Sequence, residues 1–259
     1  MNFFTQILHL VGSGASAFIT ARNMRDPLTR PNTLASLQLA ESGSVPYLEA
    51  LRDRAAAEGD IWLAEKLTRH ANDERRHGQI FANALKQLNK QVIDFKASPR
   101  PAATDAKSSE RKRNPFFDAY FAGYTQAELK PEAINWIAFL ASTYILELDA
   151  SKDFVRMANV LPEDEPVSAN LKKGILSVAN DETGHAAYLR EALERRLTIG
   201  EVDAVIDSWR TRKVNAILAM VGNFIQKSGK SPSLVQDGVP TEMSEAPVER
   251  ELVGVGSRE

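Results

Sequence analysis

The stretch ANDERRHGQIF, residues 71–81, contains Asp73, Glu74 and His77 in the order D-E-x-x-H. On an α-helix Glu74 and His77 lie about 60° apart around the axis and about 4.5 Å apart along it, so their side chains point the same way. We predict a helix from about 60 to 88 because one stripe of residues recurs at helical spacing. The stripe consists of Leu63, Leu67, His70, Glu74, His77, Phe81 and Leu85.

A second stretch, ANDETGHAAYL (179–189), repeats the same order with Asp181, Glu182 and His185. The chain has four histidines, and two of them follow an Asp-Glu pair by the same step. We predict a helix that begins near Pro166 and carries this motif in an apolar stripe. The stripe consists of Leu171, Ile175, Val178, Glu182, His185, Leu189 and Leu193.

A lone glutamate precedes each motif at a similar distance. Glu41 lies 33 residues before Glu74, and Glu147 lies 35 residues before Glu182. Each belongs to the apolar stripe of a predicted helix, one beginning near residue 32 and the other near Pro131. The second helix pair therefore reads as a distant copy of the first.

Folding these four helices together would bury four carboxylates and two imidazoles in one interior. Each unpaired buried carboxylate costs several kcal/mol, and like charges raise one another's pKa. Two divalent cations would supply the +4 that balances four glutamates. The chain has no cysteine, so oxygen and imidazole nitrogen are the donors it offers. The alternative is that both motifs are solvated pairs on helix surfaces.

This set of residues resembles the ligands of the ferritin-like di-metal carboxylate superfamily, in which two helices each give one Glu and two others each give Glu-x-x-His. The resemblance covers roughly residues 32–197. It implies an all-α, ferritin-like four-helix bundle with a long crossover and additional N- and C-terminal helices. It implies six metal ligands, with Glu74 and Glu147 favoured as the bridging or flexible carboxylates. The ligands would be Glu41, Glu74, His77, Glu147, Glu182 and His185.

The element DERRHG (73–78) also resembles the D/E-E-x-R-H-G element of soluble acyl-carrier-protein desaturases and the D-E-x-R-H element of bacterial di-iron monooxygenases. The second copy, DETGH, lacks the arginine, and the chain is much shorter than either family. The resemblance implies two Fe ions, with Mn or a mixed Fe/Mn pair as alternatives, and O2 as co-substrate. Mixed oxygen and imidazole ligation without thiolate fits iron or manganese.

Asp73 and Asp181 lie about 100° around their helices from the glutamates that follow them, so they face a neighbouring helix. Metal-bound histidines usually donate their other ring N–H to a carboxylate. We therefore predict that Asp73 bonds His185 and that Asp181 bonds His77. The alternative is that both are simply solvated acids.

A substrate cavity is a further hypothesis. Pro46 should kink the first helix one turn past Glu41, next to the small side chains at 42–44. Tyr144 and Tyr188 lie one turn from predicted ligands and are weak catalytic candidates, with core packing as the alternative. His70 is taken either as a neighbour of the ligands or as part of the stripe, not as a ligand.

The domain organisation follows from composition. Residues 1–31 form an amphipathic lead-in rather than a signal peptide, and 32–228 form the di-metal bundle. Residues 96–114 form a linker rich in Pro, Ser and charge, and 229–259 a disordered tail. We expect an aromatic helix from Pro115 and a fifth long helix opened by the Thr198/Glu201 capping box. We find no convincing strand alternation.

Three functions are consistent with the sequence. The first is an O2-dependent oxidase or oxygenase that hydroxylates, desaturates or deformylates a small organic substrate with an external electron donor. The second is a ferroxidase or peroxide-handling protein like ferritin or rubrerythrin. The third is a non-catalytic metal-binding or membrane-peripheral scaffold.

The net charge of −2 and the sequence pI near 6.2 give no global attraction to polyanions. We therefore do not expect nucleic acid binding. The run KSSERKRNP (107–115) is interpreted as solvated linker, with contact to RNA phosphates as the alternative. We also do not expect membrane association, because no window approaches the ~18 consecutive apolar residues of a span. The cytoplasm is the default location, and a homodimer is left open.

Overall fold

The computed structural model describes residues 3–93, 114–226 and 233–238, and over these residues the chain is predominantly helical. The all-α class predicted from the sequence is confirmed. The helices of the described residues are α1 Phe3–Arg25, α2 Arg30–Ala57, α3 Ile61–Gln87, α4 Pro115–Tyr120, α5 Trp136–Asn159, α6 Pro166–Glu194 and α7 Ile199–Gln226.

Side-chain caps fix where several helices begin. Asp60 accepts a hydrogen bond from the Leu63 amide at 3.0 Å, and α3 starts at the next residue. Half of the predicted capping box is formed at Thr198 and Glu201: the Thr198 amide and hydroxyl both donate to the Glu201 carboxylate. These caps satisfy amides that have no partner within the helix.

The predicted start of the third long helix near Pro131 is wrong by five residues. Helix α5 begins at Trp136, because Asn135 is extended and its side chain accepts from the amides of Ile137 and Ala138 at 2.9 and 3.2 Å. Proline at a first turn is compatible with a helix start but does not require one, whereas the asparagine cap satisfies two amides.

Two apolar cores occupy opposite ends of the long helices. Helices α2, α3, α5 and α6 contribute side chains to both cores. Leu51, Leu67, Leu140 and Leu189 lie in the first core. The second contains Leu34, Phe81, Phe154 and Ile175. Helices α2 and α6 run from the second core to the first, and α3 and α5 run the opposite way, so a layer halfway along all four separates the cores.

The remaining helices cover this arrangement. Helix α1 packs on α2, α5 and α7, and α4 packs on α7. Lys213 of α7 forms an ion pair with Asp149 of α5. Burial lowers the pKa of Lys213 to about 8. Within the described residues no helix is both long enough and apolar enough to cross a membrane.

A short antiparallel strand pair was not predicted. Strand β1 (Lys90–Val92) pairs with β2 (Val235–Asp237), with Val92 opposite Val235. Three-residue strands are too short to show alternation in a sequence, which is why the pair was missed. Strand β2 lies within the predicted tail; the rest of that tail from 239 on, and the predicted linker except Asn114, lie outside the described residues. The proposed domain limits stay a prediction.

Candidate metal centre

The layer between the two cores is polar. It contains all six residues that the sequence predicts as ligands, together with His70. Each of the seven side chains is buried or nearly so: Glu147 is the most exposed at 14%, and the His77 side chain is fully buried. We call the seven the donor cluster: Glu41 from α2; His70, Glu74 and His77 from α3; Glu147 from α5; Glu182 and His185 from α6.

The donor cluster divides into two groups, each able to hold one ion. In the first, which we call site A, one ligand atom from each of four residues lies within 4.8 Å of the others. His77 Nδ1 lies 3.2 Å from Glu182 Oε1, 3.5 Å from Glu41 Oε2 and 3.7 Å from Glu74 Oε1. Site A therefore offers three carboxylates and one imidazole.

The second group, site B, contains His70, Glu74, Glu147 and His185, again with ligand atoms within 4.8 Å of one another. His70 Nε2 lies 3.3 Å from Glu74 Oε1 and 3.5 Å from Glu147 Oε1. His185 Nδ1 lies 3.8 Å from Glu74 Oε1 and 4.0 Å from Glu147 Oε2. Site B offers two carboxylates and two imidazoles.

Two glutamates lie between the sites. Glu74 belongs to both groups. Glu182 directs Oε1 to His77 Nδ1 at 3.2 Å and Oε2 to His185 Nδ1 at 3.3 Å. The family resemblance favours Glu74 and Glu147 as the bridging pair. The geometry favours Glu182 over Glu147, because Glu147 faces site B alone.

The outer nitrogens of the two motif histidines face the two aspartates. His77 Nε2 lies 3.1 Å from Asp181 Oδ2, and His185 Nε2 lies 3.3 Å from Asp73 Oδ2. These are the crossed contacts that the sequence analysis predicts. They leave Nδ1 of each imidazole directed at the glutamates, the arrangement that a metal-binding histidine requires.

Arg76 ties the two aspartates together. Its guanidinium forms an ion pair with Asp181 and lies 4.0 Å from Asp73. It also donates to the Ser177 hydroxyl at 3.0 Å. This arginine is part of the DERRHG element, so its place next to both aspartates gives that element a structural reason in this chain.

Helix α2 packs closely on the motif. The Ser44 hydroxyl lies 2.9 Å from Glu74 Oε2 and 2.6 Å from the Glu41 carbonyl oxygen, so its single proton is shared between a carboxylate of the donor cluster and its own helix. A Cβ at Gly78 would collide with Ser42 Oγ, so glycine permits α2 to approach α3 just past His77. Helix α2 continues through Pro46, and the kink expected there stays a prediction.

The two candidate tyrosines differ in position. Tyr188 is buried and its hydroxyl lies 2.7 Å from His70 Nδ1, so it contacts the donor cluster. Tyr144 is also buried, and it interacts with the Arg190 side chain. Both tyrosines lie one turn from a predicted ligand in the sequence. The packing of α3 on α6 distinguishes them, because it brings Tyr188 to His70.

Burial and mutual repulsion disfavour charge on three of the glutamates. Burial, followed by repulsion from Glu182, raises the pKa of Glu147 to about 8. Burial also raises the pKa of Glu182 to about 7 and that of Glu41 well above its usual range. For Glu74 burial acts in the same direction, but hydrogen bonds with His70 and Glu41 outweigh it and lower its pKa to about 2.

The imidazoles respond in different directions. Burial lowers the pKa of His77, and it lowers the pKa of His185 to about 4. Burial would lower the pKa of His70 as well, but Tyr188, Glu147 and Glu74 outweigh it and raise the pKa. His77 and His185 are therefore held neutral, with a lone pair available for a metal.

One buried atom of the donor cluster is left without a hydrogen bond. His77 Nδ1 has no hydrogen-bond partner although its ring is fully buried, and Glu182 Oε1 lies 3.2 Å from it. A buried unsatisfied polar atom costs about 1–3 kcal/mol. A cation between His77 Nδ1 and the glutamates would remove that cost and balance the carboxylate charge. The donor cluster therefore fits a pair of divalent ions.

The two best-formed surface clefts lie elsewhere. One, of about 290 Å³, is lined by residues of α3, β1 and their surroundings, including Lys86 and Asn89. The other, of about 480 Å³, lies between α4 and α7 next to Arg212. Neither is lined by a residue of the donor cluster or by residues 42–46, so the predicted substrate cavity near Pro46 stays a prediction.

Comparisons of the chain with protein-family models, with curated proteins and with solved structures gave no match. The donor cluster therefore has to be interpreted from its own geometry.

Proposed function

We propose that this protein is a ferritin-like carboxylate protein that holds two metal ions between α2, α3, α5 and α6. The chain would use this centre as a non-haem di-iron oxidoreductase, which oxidises a small organic substrate with O2 and an external electron donor. The observation that supports the proposal is the donor cluster itself, with four glutamates and three imidazoles in a layer between two apolar cores.

The order of the donors along the chain supports the class. Glu41, Glu74-x-x-His77, Glu147 and Glu182-x-x-His185 come from successive long helices. This is the ligand order of ferritin-like di-metal proteins, and α3 and α5 run in the same direction, as do the two helices that the long crossover of such a bundle joins. Helices α2 and α6 run from the second apolar core to the first, and α3 and α5 run the opposite way, which fits the same architecture.

The chain's own residues provide binding, orientation and exclusion of water. Iron would supply electron transfer to O2, which no side chain in the cluster can perform. Asp73 and Asp181 keep the outer nitrogens of His185 and His77 engaged, so each Nδ1 stays available as a ligand. The two apolar cores exclude bulk water on either side, which strengthens every electrostatic interaction within the layer.

The direct test is anaerobic loading of the full-length chain with Fe(II), followed by metal counting and exposure to O2. We expect two Fe per chain, rapid optical change on exposure to O2, and uptake that stops at this stoichiometry. Mass spectrometry of molecules that co-purify with the protein would identify the class of organic substrate. Failure to bind iron or manganese above the level of a variant lacking Glu74 would refute the proposal.

A second function is favoured by one observation. Neither of the two best-formed clefts reaches the donor cluster, and none of its side chains is more than 14% exposed. Such a closed site suits small reactants such as Fe(II) and peroxide better than a bulky substrate. Turnover with a large excess of Fe(II) separates the two, because a ferroxidase continues to oxidise added iron and an organic-substrate oxidase does not.

A further inference from the structure

We infer that His70 is a seventh metal ligand, so that site B is held by two imidazoles and site A by one. This inference rests on the proposed two-metal centre and deepens it. The six-ligand set expected from the sequence leaves His70 out, and the geometry of the cluster is what brings it in.

The position of His70 on α3 allows it to share a site with the motif. Residues 70, 74 and 77 are spaced i, i+4 and i+7, so all three side chains leave the helix on one face. His70 is 2% exposed, as buried as the predicted ligands. Its Nε2 lies within 3.5 Å of carboxylate oxygens from two helices, Glu74 of α3 and Glu147 of α5.

The orientation of the His70 ring is the one that a ligand needs. Its Nδ1 lies 2.7 Å from the Tyr188 hydroxyl, and its Nε2 faces the glutamates. His77 and His185 show the same division, with one nitrogen at the glutamates and the other at an oxygen of the opposite helix. A cation at site B would take the place of the Nε2 proton that Glu74 and Glu147 favour in the metal-free protein, while Nδ1–H of His70 donates to the Tyr188 oxygen.

The contact between two imidazoles supports the same conclusion. The rings of His70 and His185 are stacked with centroids 3.7 Å apart, so both flank the oxygens of Glu74 and Glu147. A cation between the two imidazoles and the two carboxylates would bind one nitrogen of each ring and balance the negative charge of the carboxylates. Tyr188 would then be a positioning residue that acts through His70.

The test is to count the metal-bound imidazoles in the protein with its unaltered sequence. The chain has four histidines. Full-length protein labelled with 15N-histidine, stripped of metal and titrated with Zn2+, would report each ring nitrogen by NMR. We expect three imidazoles, His70 among them, to move to the chemical shifts of metal-bound nitrogen. The signal that is absent from the spectrum of His70→Gln is thereby assigned to His70.

The outcomes separate the inference from the function on which it rests. Three metal-bound imidazoles that include His70 support both. Binding of Zn2+ through His77 and His185 alone, with the His70 nitrogens unchanged, overturns the inference and leaves the two-metal centre standing. No metal-bound imidazole at all would refute the two-metal centre and with it the inference.

Matched variants give a second measurement. We expect His70→Gln to weaken one of the two Zn2+ binding steps by ~10-fold or more and to leave the other unchanged. Tyr188→Phe keeps the imidazole and should have a smaller effect on the same step. Glu65→Gln, an exposed position on α3, is the control for α3 itself and should bind as the unaltered chain does. Equal weakening of both steps in His70→Gln would contradict a ligand of site B.

Discussion

Helices α3 and α6 carry the same D-E-x-x-H motif, yet they differ one turn before it. On α3 that position is His70, and on α6 it is Val178. Both side chains are buried, at 2% and 0% exposure. The valine completes an apolar core, whereas the histidine extends the donor cluster, so a single position makes two similar half-sites chemically different.

A second difference lies within the motif. Arg76 of α3 corresponds to Gly184 of α6, and only the arginine reaches across to pair with Asp181 and approach Asp73. One helix thus supplies the cation for the aspartates of both. The repeated motifs thus supply matching ligands to both sites, whereas the positions that differ between α3 and α6 make the two sites chemically different.

The largest effect should come from removing what the two sites share. Glu74 belongs to both sites, so Glu74→Gln should abolish binding of both metal ions, measured by metal counting after anaerobic Fe(II) loading. Glu65→Gln on the exposed face of the same helix is the control and should retain both ions. Full iron occupancy in Glu74→Gln would contradict a shared ligand.

Removing a glutamate that belongs to one site should cost one ion. We expect Glu41→Gln to lose the ion of site A and Glu147→Gln to lose that of site B, because each contributes to only one group. Mössbauer spectra of 57Fe(II)-loaded protein would show which of two ferrous signals disappears. If both variants lost the same signal, the division into sites A and B would be wrong.

The aspartates should have an intermediate effect, because they act through the histidines. Replacing the partner of a metal-bound histidine typically costs ~10–100-fold in metal affinity. We expect Asp181→Asn to weaken Fe(II) binding more than Asp73→Asn, because Asp181 is less exposed, lies closer to its histidine and is paired with Arg76. Equal affinities in both variants and the unaltered chain would refute a supporting role for either aspartate.

The metal-free protein should lose stability as the pH rises from about 6.5 to about 8. The raised pKa values of Glu147, about 8, and Glu182, about 7, mean that the folded chain holds protons there that the unfolded chain has released. His70 acts in the same direction, while the lowered pKa values of His185 and Glu74 take effect below this window.

We expect this loss to be about 2 kcal/mol, measured by denaturant unfolding in a chelator at several pH values. Glu147→Gln should flatten the pH dependence, because the substituted side chain does not titrate. Bound metal should flatten it as well, since it stabilises the ionised carboxylates. A metal-free protein whose stability rose between pH 6.5 and 8 would contradict the raised pKa values.

The smallest effect should come from Ser44, whose hydroxyl contacts Glu74. Ser44→Ala removes the hydroxyl that contacts the Glu74 carboxylate. It should weaken metal binding by about 1 kcal/mol, since no metal ligand is lost. Ser151→Ala is the matched control: the hydroxyls of Ser151 and Ser44 both contact a carbonyl of their own helix, and Ser44 alone of the two contacts Glu74, so Ser151→Ala should leave the affinity unchanged. Isothermal titration with Zn2+ would measure the difference.

Local sequence accounts for much of this architecture. Helical spacing alone places Glu74 with His77 and Glu182 with His185 on common faces, and it predicts the all-α class that the structure confirms. The position of each aspartate before its glutamate was enough to predict that Asp73 would meet His185. The common faces are properties of a single helix and its phase, whereas the Asp73–His185 prediction also uses the rule that a metal-bound histidine donates its other ring N–H to a carboxylate.

The contacts that depend on the distance between helices could not be predicted from the sequence pattern, because they follow from tertiary packing. That packing brought His70 within reach of Glu147, placed Glu182 rather than Glu147 between the sites, and separated Tyr188 from Tyr144. The phase of a helix gives the direction of a side chain around its own axis. How far the next helix lies, and how it is shifted along that axis, follows from the packing of the two apolar cores.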